Sequence, residues 1–274
     1  MRNINKQDEF SFADDSIAKA YDTILVPSLF EPWALQLIQD NQPWGDTKVL
    51  DLACGTGVIT RVLANNIKNN GRVIALDINS QMLDLARIRC AEWKNIEFIE
   101  GSGESLAISD NTLDVVVCQQ GFQFFPNKKT AAIEIHRVLT PGGKAIISTW
   151  CPVSECEIFG IICETLEAMN EIEISRTMRI PFDYMTQQQL RKPFKNAGFK
   201  NIVVSKQEMN LSLKGGVDGA IALAYATPIG PKLKELSNEK QDKFKKVFID
   251  KIQIISHDGK NFGRMVSNVL KAEK

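Results

Sequence analysis

Nothing else in the chain narrows its possible folds as much as the run Val49-Leu50-Asp51-Leu52-Ala53-Cys54-Gly55-Thr56-Gly57. An apolar strand enters a turn with two glycines, and a helical pattern opens directly after it. Glycines in such a turn let backbone amides approach a ligand closely, and the helix start presents further unpaired amides. The next apolar run ends in Leu76-Asp77, about twenty residues after the second glycine, where a carboxylate accepts both hydroxyls of a ribose. The two strand tips together predict a nucleoside-binding half-sheet.

The turn also discriminates between nucleosides. A dinucleotide fingerprint needs a third glycine three places after the second, so that helix and strand pack closely over a pyrophosphate; Thr60 stands there. Asp51 puts negative charge where a dinucleotide would bring phosphates but where a free amino group is welcome. A ligand with ribose and amine but no phosphate fits better, which disfavours a nicotinamide-dependent oxidoreductase.

Three further blocks follow in order: Gly101-Ser102-Gly103-Glu104 after the third strand, Leu113 to Pro126 around the fourth, and Arg137-Val138-Leu139-Thr140-Pro141-Gly142-Gly143 before the fifth. Over residues 46–150 the chain resembles the class I S-adenosylmethionine-dependent methyltransferases, within their broad small-molecule, type 11-like subgroup of quinone, lipid and secondary-metabolite enzymes. The resemblance implies an α/β, Rossmann-like fold: a seven-stranded, mostly parallel sheet with helices on both faces and an antiparallel last strand between the fifth and sixth.

It also implies S-adenosyl-L-methionine as cofactor, leaving S-adenosyl-L-homocysteine as product. By position, Asp51, Ala53, Gly55, Thr56 and Gly57 contact the methionine part, Asp77 the ribose, and Ile78 and Met82 the adenine. Ser102 stands where the family usually has an Asp accepting from the adenine's exocyclic amine; an uncharged hydroxyl gives a weaker contact, leaving more to Gly103 and Glu104. Cys118, Gln119 and Gln120 lie at the mouth where donor and acceptor meet, because open parallel sheets bind ligands beyond their carboxyl ends. Tyr21 takes the place of the aromatic on a helix that closes over the cofactor. Gln119, Gln120 and Tyr21 are the candidate catalytic residues, while Phe122, Phe124 and Phe125 read as core, with Phe124 also a mouth candidate.

Periodicity predicts strands at 48–53, 72–77, 96–100, 113–118, 143–150 and 200–208, and a late one from Phe262 to Ala272. Helices are expected at 57–67, 80–93, 128–139, 155–169, 186–197, 217–226 and 238–255, and two in the first forty residues, one carrying Phe10, Phe12, Ile17, Ala18 and Tyr21 to a break at Pro27, the other from Pro32. The organisation read from this is lid helices at 1–45, a cofactor-binding core at 46–150, a substrate-cap segment at 151–187, and the rest of the core at 188–274 with a helical insertion at about 215–257. The large side chains of Arg179 to Met185 are read as lining a pocket, in preference to anchoring their loop to the core.

Acidic and basic residues balance at 33 each, so no broad footprint for nucleic acid or anionic membrane is expected; Lys243-Phe244-Lys245-Lys246 reads as a solvated helix face. The amino-terminal residues lack the apolar core of a signal peptide and no apolar run spans a bilayer, which points to the cytoplasm, without stable membrane insertion, as monomer or homodimer. Most of the six cysteines read as small buried hydrophobes. With only His136 and His257 and no paired cysteine motif, no metal is expected, and His136 reads as a packed or capping residue.

The expected activity is methyl transfer to a small, largely apolar metabolite. No histidine falls at the mouth, which favours an amine or an already acidic acceptor, with nitrogen preferred to oxygen or carbon, although Asp14, Asp15, Glu157, Asp183 or Tyr184 could supply a base. The other readings are a non-catalytic donor-binding sensor or assembly protein and, less favoured, the oxidoreductase.

Overall fold

The computed structural model describes residues 19–68, 70–182, 185–256 and 258–274. Seven strands form one sheet: β1 (Lys48–Leu52), β2 (Arg72–Asp77), β3 (Ile96–Glu100), β4 (Leu113–Gln119), β5 (Leu139–Trp150), β6 (Lys200–Ser212) and β7 (Asn261–Glu273). Their order is β3-β2-β1-β4-β5-β7-β6. β1 to β5 pair in parallel, and β7 runs antiparallel to β5, from Lys144 opposite Glu273 to Trp150 opposite Ser267. The last strand thus sits between the fifth and sixth, as expected.

Val49, Leu50, Asp51 and Leu52 are all buried. Successive strand residues point to opposite faces, so both faces of β1 are covered, as a parallel sheet between helices requires. The helices are α1 (Tyr21–Phe30), α2 (Glu31–Gln39), α3 (Val58–Asn66), α4 (Ser80–Arg89), α5 (Lys128–Val138), α6 (Glu157–Ala168), α7 (Ile172–Arg179), α8 (Gln187–Asn196), α9 (Gly216–Ala226), α10 (Gly230–Glu235) and α11 (Asn238–Ile255).

The chain divides into two compact units. One comprises Glu31–Trp150, Met185–Gln207 and Ser267–Lys274, and holds β1 to β5 with α2, α3, α4, α5 and α8. The other gathers described residues from 19–30, 151–182 and 208–266, and is mostly helical. Its α11 buries Phe244, Phe248 and Ile252 on one stripe while Lys243 and Lys246 stay exposed, which is the solvated basic face read from the sequence.

Several local expectations differ from the structure. Pro27 does not break α1, which is a π-type helix with the proline inside it; the wider ladder avoids the clash that a proline ring makes with the carbonyl four residues back. α4 ends at Arg89 rather than 93. α7 escaped the periodicity because its buried face includes Ser175 and Thr177 beside Ile174 and Met178. Phe182 is buried, its ring 5.0 Å from that of Phe159, so this large side chain anchors its segment. The proposed first helix up to Ala18, and Asp14, Asp15, Asp183, Tyr184 and His257, lie outside the described residues.

Candidate functional site

The tips of β1 and β2 are tied together by hydrogen bonds from the turn between β1 and α3. Cys54 N–H donates to Leu76 O at 3.0 Å, and Gly55 N–H donates to Asp77 Oδ2 at 2.8 Å. The other carboxylate oxygen of Asp77 accepts from Asn79 N–H at 2.9 Å. A carboxylate has about four lone-pair sites, so Asp77 retains capacity to receive a hydroxyl. Asp77 is not the cap of α4; Asn79 is, its side chain accepting from Met82 N–H.

Gly57 starts α3 at φ +82 with no side-chain cap, so the first amides of that helix are left for a ligand. A Cβ on Gly57 would stand 3.1 Å from Cys90 Sγ and 3.2 Å from Ala86 Cβ, whereas one on Gly55 would meet nothing. The turn is therefore packed underneath and open above. Thr56 Oγ1 is buried with no partner among the described residues. Backbone amides, an open face and a spare hydroxyl beside a carboxylate form a cradle that fits a cationic amino acid joined to a nucleoside.

Asp51 lies wholly inside, under this turn, and Thr60 Oγ1 donates to its Oδ2 at 2.5 Å. Burial pushes its carboxyl up to about 7; the Thr60 hydrogen bond opposes this and neighbouring Asp77 reinforces it. Burial also raises Asp77, against the bonds from Asn79 and Gly55. Two adjacent carboxyls short of solvent favour a positively charged ligand. The role of Thr60 was not read from the sequence, where it counted only as a missing glycine. A hydroxyl nine residues after a strand carboxylate, one turn into the next helix, is the signal that was there.

Ser102 Oγ accepts from Glu104 N–H at 3.2 Å, and Glu104 Oε1 accepts from Asn127 N–H at the start of α5. Gly103 lies against the Phe125 ring. Met82 is buried, and Ile78, 73% exposed, projects beyond the tip of β2. Phe122 is core, its ring 5.1 Å from that of Phe194.

Beyond β4, Gly121 presses on the cofactor turn: a Cβ there would stand 2.5 Å from Ala53 Cβ. Gln120 takes φ +55, its N–H donates to Ser148 O, and its Nε2 donates to Ser267 Oγ at 3.0 Å. Gln119 pairs with Ser148 across the sheet. Burial holds the Cys118 thiol well above its usual range, so it stays protonated. Tyr21 belongs to the other unit, where its ring lies 4.8 Å from Phe30. Glu157 Oε2 accepts from Arg264 N–H at 2.7 Å, a structural use. His136 is packed edge-on against Phe199, centroids 5.0 Å apart, as the sequence suggested. All six cysteines are buried. Among the described residues, no group of three His, Cys, Asp or Glu could hold a metal ion, and no helix is long and apolar enough to cross a membrane.

Sheet order, the inserted antiparallel strand and a cradle at the first two tips are those of the class I methyltransferase fold, and the domain match and relatives that follow support an S-adenosylmethionine-dependent methyltransferase. Residues 49–143 match the profile of a methyltransferase domain. The demethylmenaquinone methyltransferase of Staphylococcus aureus strain JH9 is 28% identical over 240 residues, covering 83% of this chain and 93% of that protein. Phosphoethanolamine N-methyltransferase 2 of Haemonchus contortus, solved with S-adenosyl-L-methionine, superposes with a TM-score of 0.63 at 18% identity, over 100% of this chain and 60% of that one. A methyltransferase from Aquifex aeolicus superposes with a TM-score of 0.52 at 17% identity, over 72% and 93%.

Proposed function

We propose that this methyltransferase acts on a small, largely apolar metabolite and delivers the methyl group to nitrogen in preference to oxygen or carbon. The observation that carries the preference is the mouth beyond β4, which offers the amides Gln119 and Gln120 and a thiol held protonated by burial, with His136 packed instead against Phe199. An amine that arrives neutral needs no base. The apolar character is supported by the relative whose acceptor is named as demethylmenaquinone.

When bound, S-adenosylmethionine supplies a methyl carbon already activated by its sulfonium, with a neutral thioether as leaving group. What remains for the chain is position, worth on the order of 7–11 kcal/mol in effective concentration. Asp77 would receive the ribose hydroxyls, and the open turn Gly55-Thr56-Gly57, with Ala53 and the buried Asp51 beneath, would hold the methionine end. Ile78 and Met82 would flank the adenine, and Ser102 with the backbone of Gly103 and Glu104 would meet its amine. Cys118 and Gln119 would border donor and acceptor.

The test is turnover of methyl-labelled S-adenosylmethionine against a panel of apolar amines, phenols and carbon acids, preceded by calorimetric titration of the donor. Transfer to amines is the expected result. Exclusive transfer to phenols or carbon acids overturns the preference, and the absence of donor binding removes the site assignment.

A further inference from the structure

Gln120 sits between two fixed neighbours. On one side Gly121 holds this stretch against Ala53, the first residue of the cofactor turn. On the other, Nε2 of Gln120 donates to Ser267 Oγ at 3.0 Å, at a buried site joining residues 147 apart in the chain. The orientation of an amide is ordinarily an assignment made from its surroundings, and here the surroundings decide it. A serine hydroxyl has a single proton. That of Ser267 is directed to a backbone carbonyl, Thr149 O at 2.9 Å, with Asn268 O at 3.4 Å as the alternative. Having given its proton to a carbonyl in either case, Ser267 Oγ can only accept from Gln120, so the amide must turn its nitrogen to β7 and its oxygen away.

That oxygen, Oε1, is buried and has no partner among the described residues. A buried acceptor left unpaired carries the cost of its lost solvation, which a matching donor recovers. The backbone reinforces the arrangement: Gln120 takes φ +55, uncommon for a side chain of this kind, and its own N–H is fixed on Ser148 O.

We infer that Ser267 is a positioning residue that locks Gln120 with its oxygen as an accept-only group beside the cofactor turn, so that the methyl acceptor must carry an N–H or O–H donor next to its reacting atom. This rests on the proposed location of the mouth and narrows it: substrates presenting a carbonyl, an ether or a carboxylate at that point are refused. For a neutral amine, donating one N–H to Gln120 leaves the nitrogen lone pair oriented and free.

The test uses aniline and toluene, equal in shape but differing by the N–H donor, each titrated by NMR against the full-length protein saturated with S-adenosylhomocysteine. The quantity read is the ratio of their affinities, which cancels general apolar binding. Gln120→Leu is expected to lower the aniline-to-toluene ratio at least tenfold, and Ser267→Ala severalfold, with affinity for S-adenosylhomocysteine unchanged within about twofold in both, which also reports that each variant is folded. Gln120→Glu, which keeps an accepting oxygen, should retain more of the preference than the leucine variant. A ratio that stays within twofold of wild type in Gln120→Leu, or aniline that does not bind the wild-type complex at all, overturns the inference while leaving the donor site standing. Failure of the wild type to bind S-adenosylhomocysteine would instead remove the reading beneath it.

Discussion

The tips of β1 and β2 differ in finish from those of β4, β5 and β7. At the first pair, Asp77, Asp51 and Asn79 have protein partners, supplied by Gly55, Thr60 and Met82, and Thr56 Oγ1 is the exception, buried without one among the described residues. At the second group, Gln120 Oε1, Gln123 Nε2, Ser148 Oγ, Thr149 Oγ1 and Asn268 Oδ1 are buried without partners among the described residues. Paired groups hold a fixed shape before any ligand arrives, whereas unpaired ones are unspent hydrogen-bonding capacity. The contrast suits a constant donor on one side and a selective acceptor on the other.

The largest expected effect tests the finished side. Asp77→Ala removes the anchor of Gly55 N–H together with the proposed ribose ligand, and should weaken S-adenosylmethionine binding about 100-fold, or about 3 kcal/mol, with the far-ultraviolet circular dichroism retained. Calorimetry giving wild-type affinity would undo the comparison at its stronger end. Next comes the contact between the two regions: Gly121→Ala places a Cβ 2.5 Å from Ala53 Cβ, for an expected loss of about 1–3 kcal/mol in denaturant unfolding and weaker donor binding. Loss of stability with donor affinity untouched would separate the two regions.

A smaller effect depends on pH. The Asp51 carboxyl is raised to about 7 by burial, from 3.8, so between those values the native state keeps a proton that the unfolded state has released. Its contribution to stability is therefore full below pH 4 and lost as pH rises through 7. Thr60 favours the ionised form, so Thr60→Val should cost about 1–2 kcal/mol above pH 7 and less at pH 5; an equal loss at both would mean that the hydroxyl does not act through Asp51. The smallest effect is expected far from either set of tips. Arg176→Ala breaks an exposed pair with Glu173 and should change stability by less than about 0.5 kcal/mol; a larger loss would show that sensitivity is not concentrated at the strand tips.

The two regions also differed in how far the sequence disclosed them. The cradle is local: a strand, a turn and the next strand tip lie within thirty residues of one another, Leu50 to Asp77, and glycine spacing and apolar runs report it directly. The partner of Gln120 is Ser267, brought alongside only because β7 inserts next to β5, and one serine in a late strand carries no local mark of that use. Thr60 was in view but misjudged, since a position read for the glycine it lacks hides the hydroxyl it has. α7 was missed for a related reason: Ser175 and Thr177 face inward, so its buried side does not read as apolar.

The placement of β7 has a consequence for biosynthesis. Chains emerge in order, so every residue of the cradle is available while the strand bearing Ser267 is still unmade. Until that strand slides in beside β5, Gln120 has nothing to hold its amide in one sense, and a nascent molecule able to grip the nucleoside would be unable to choose what it methylates.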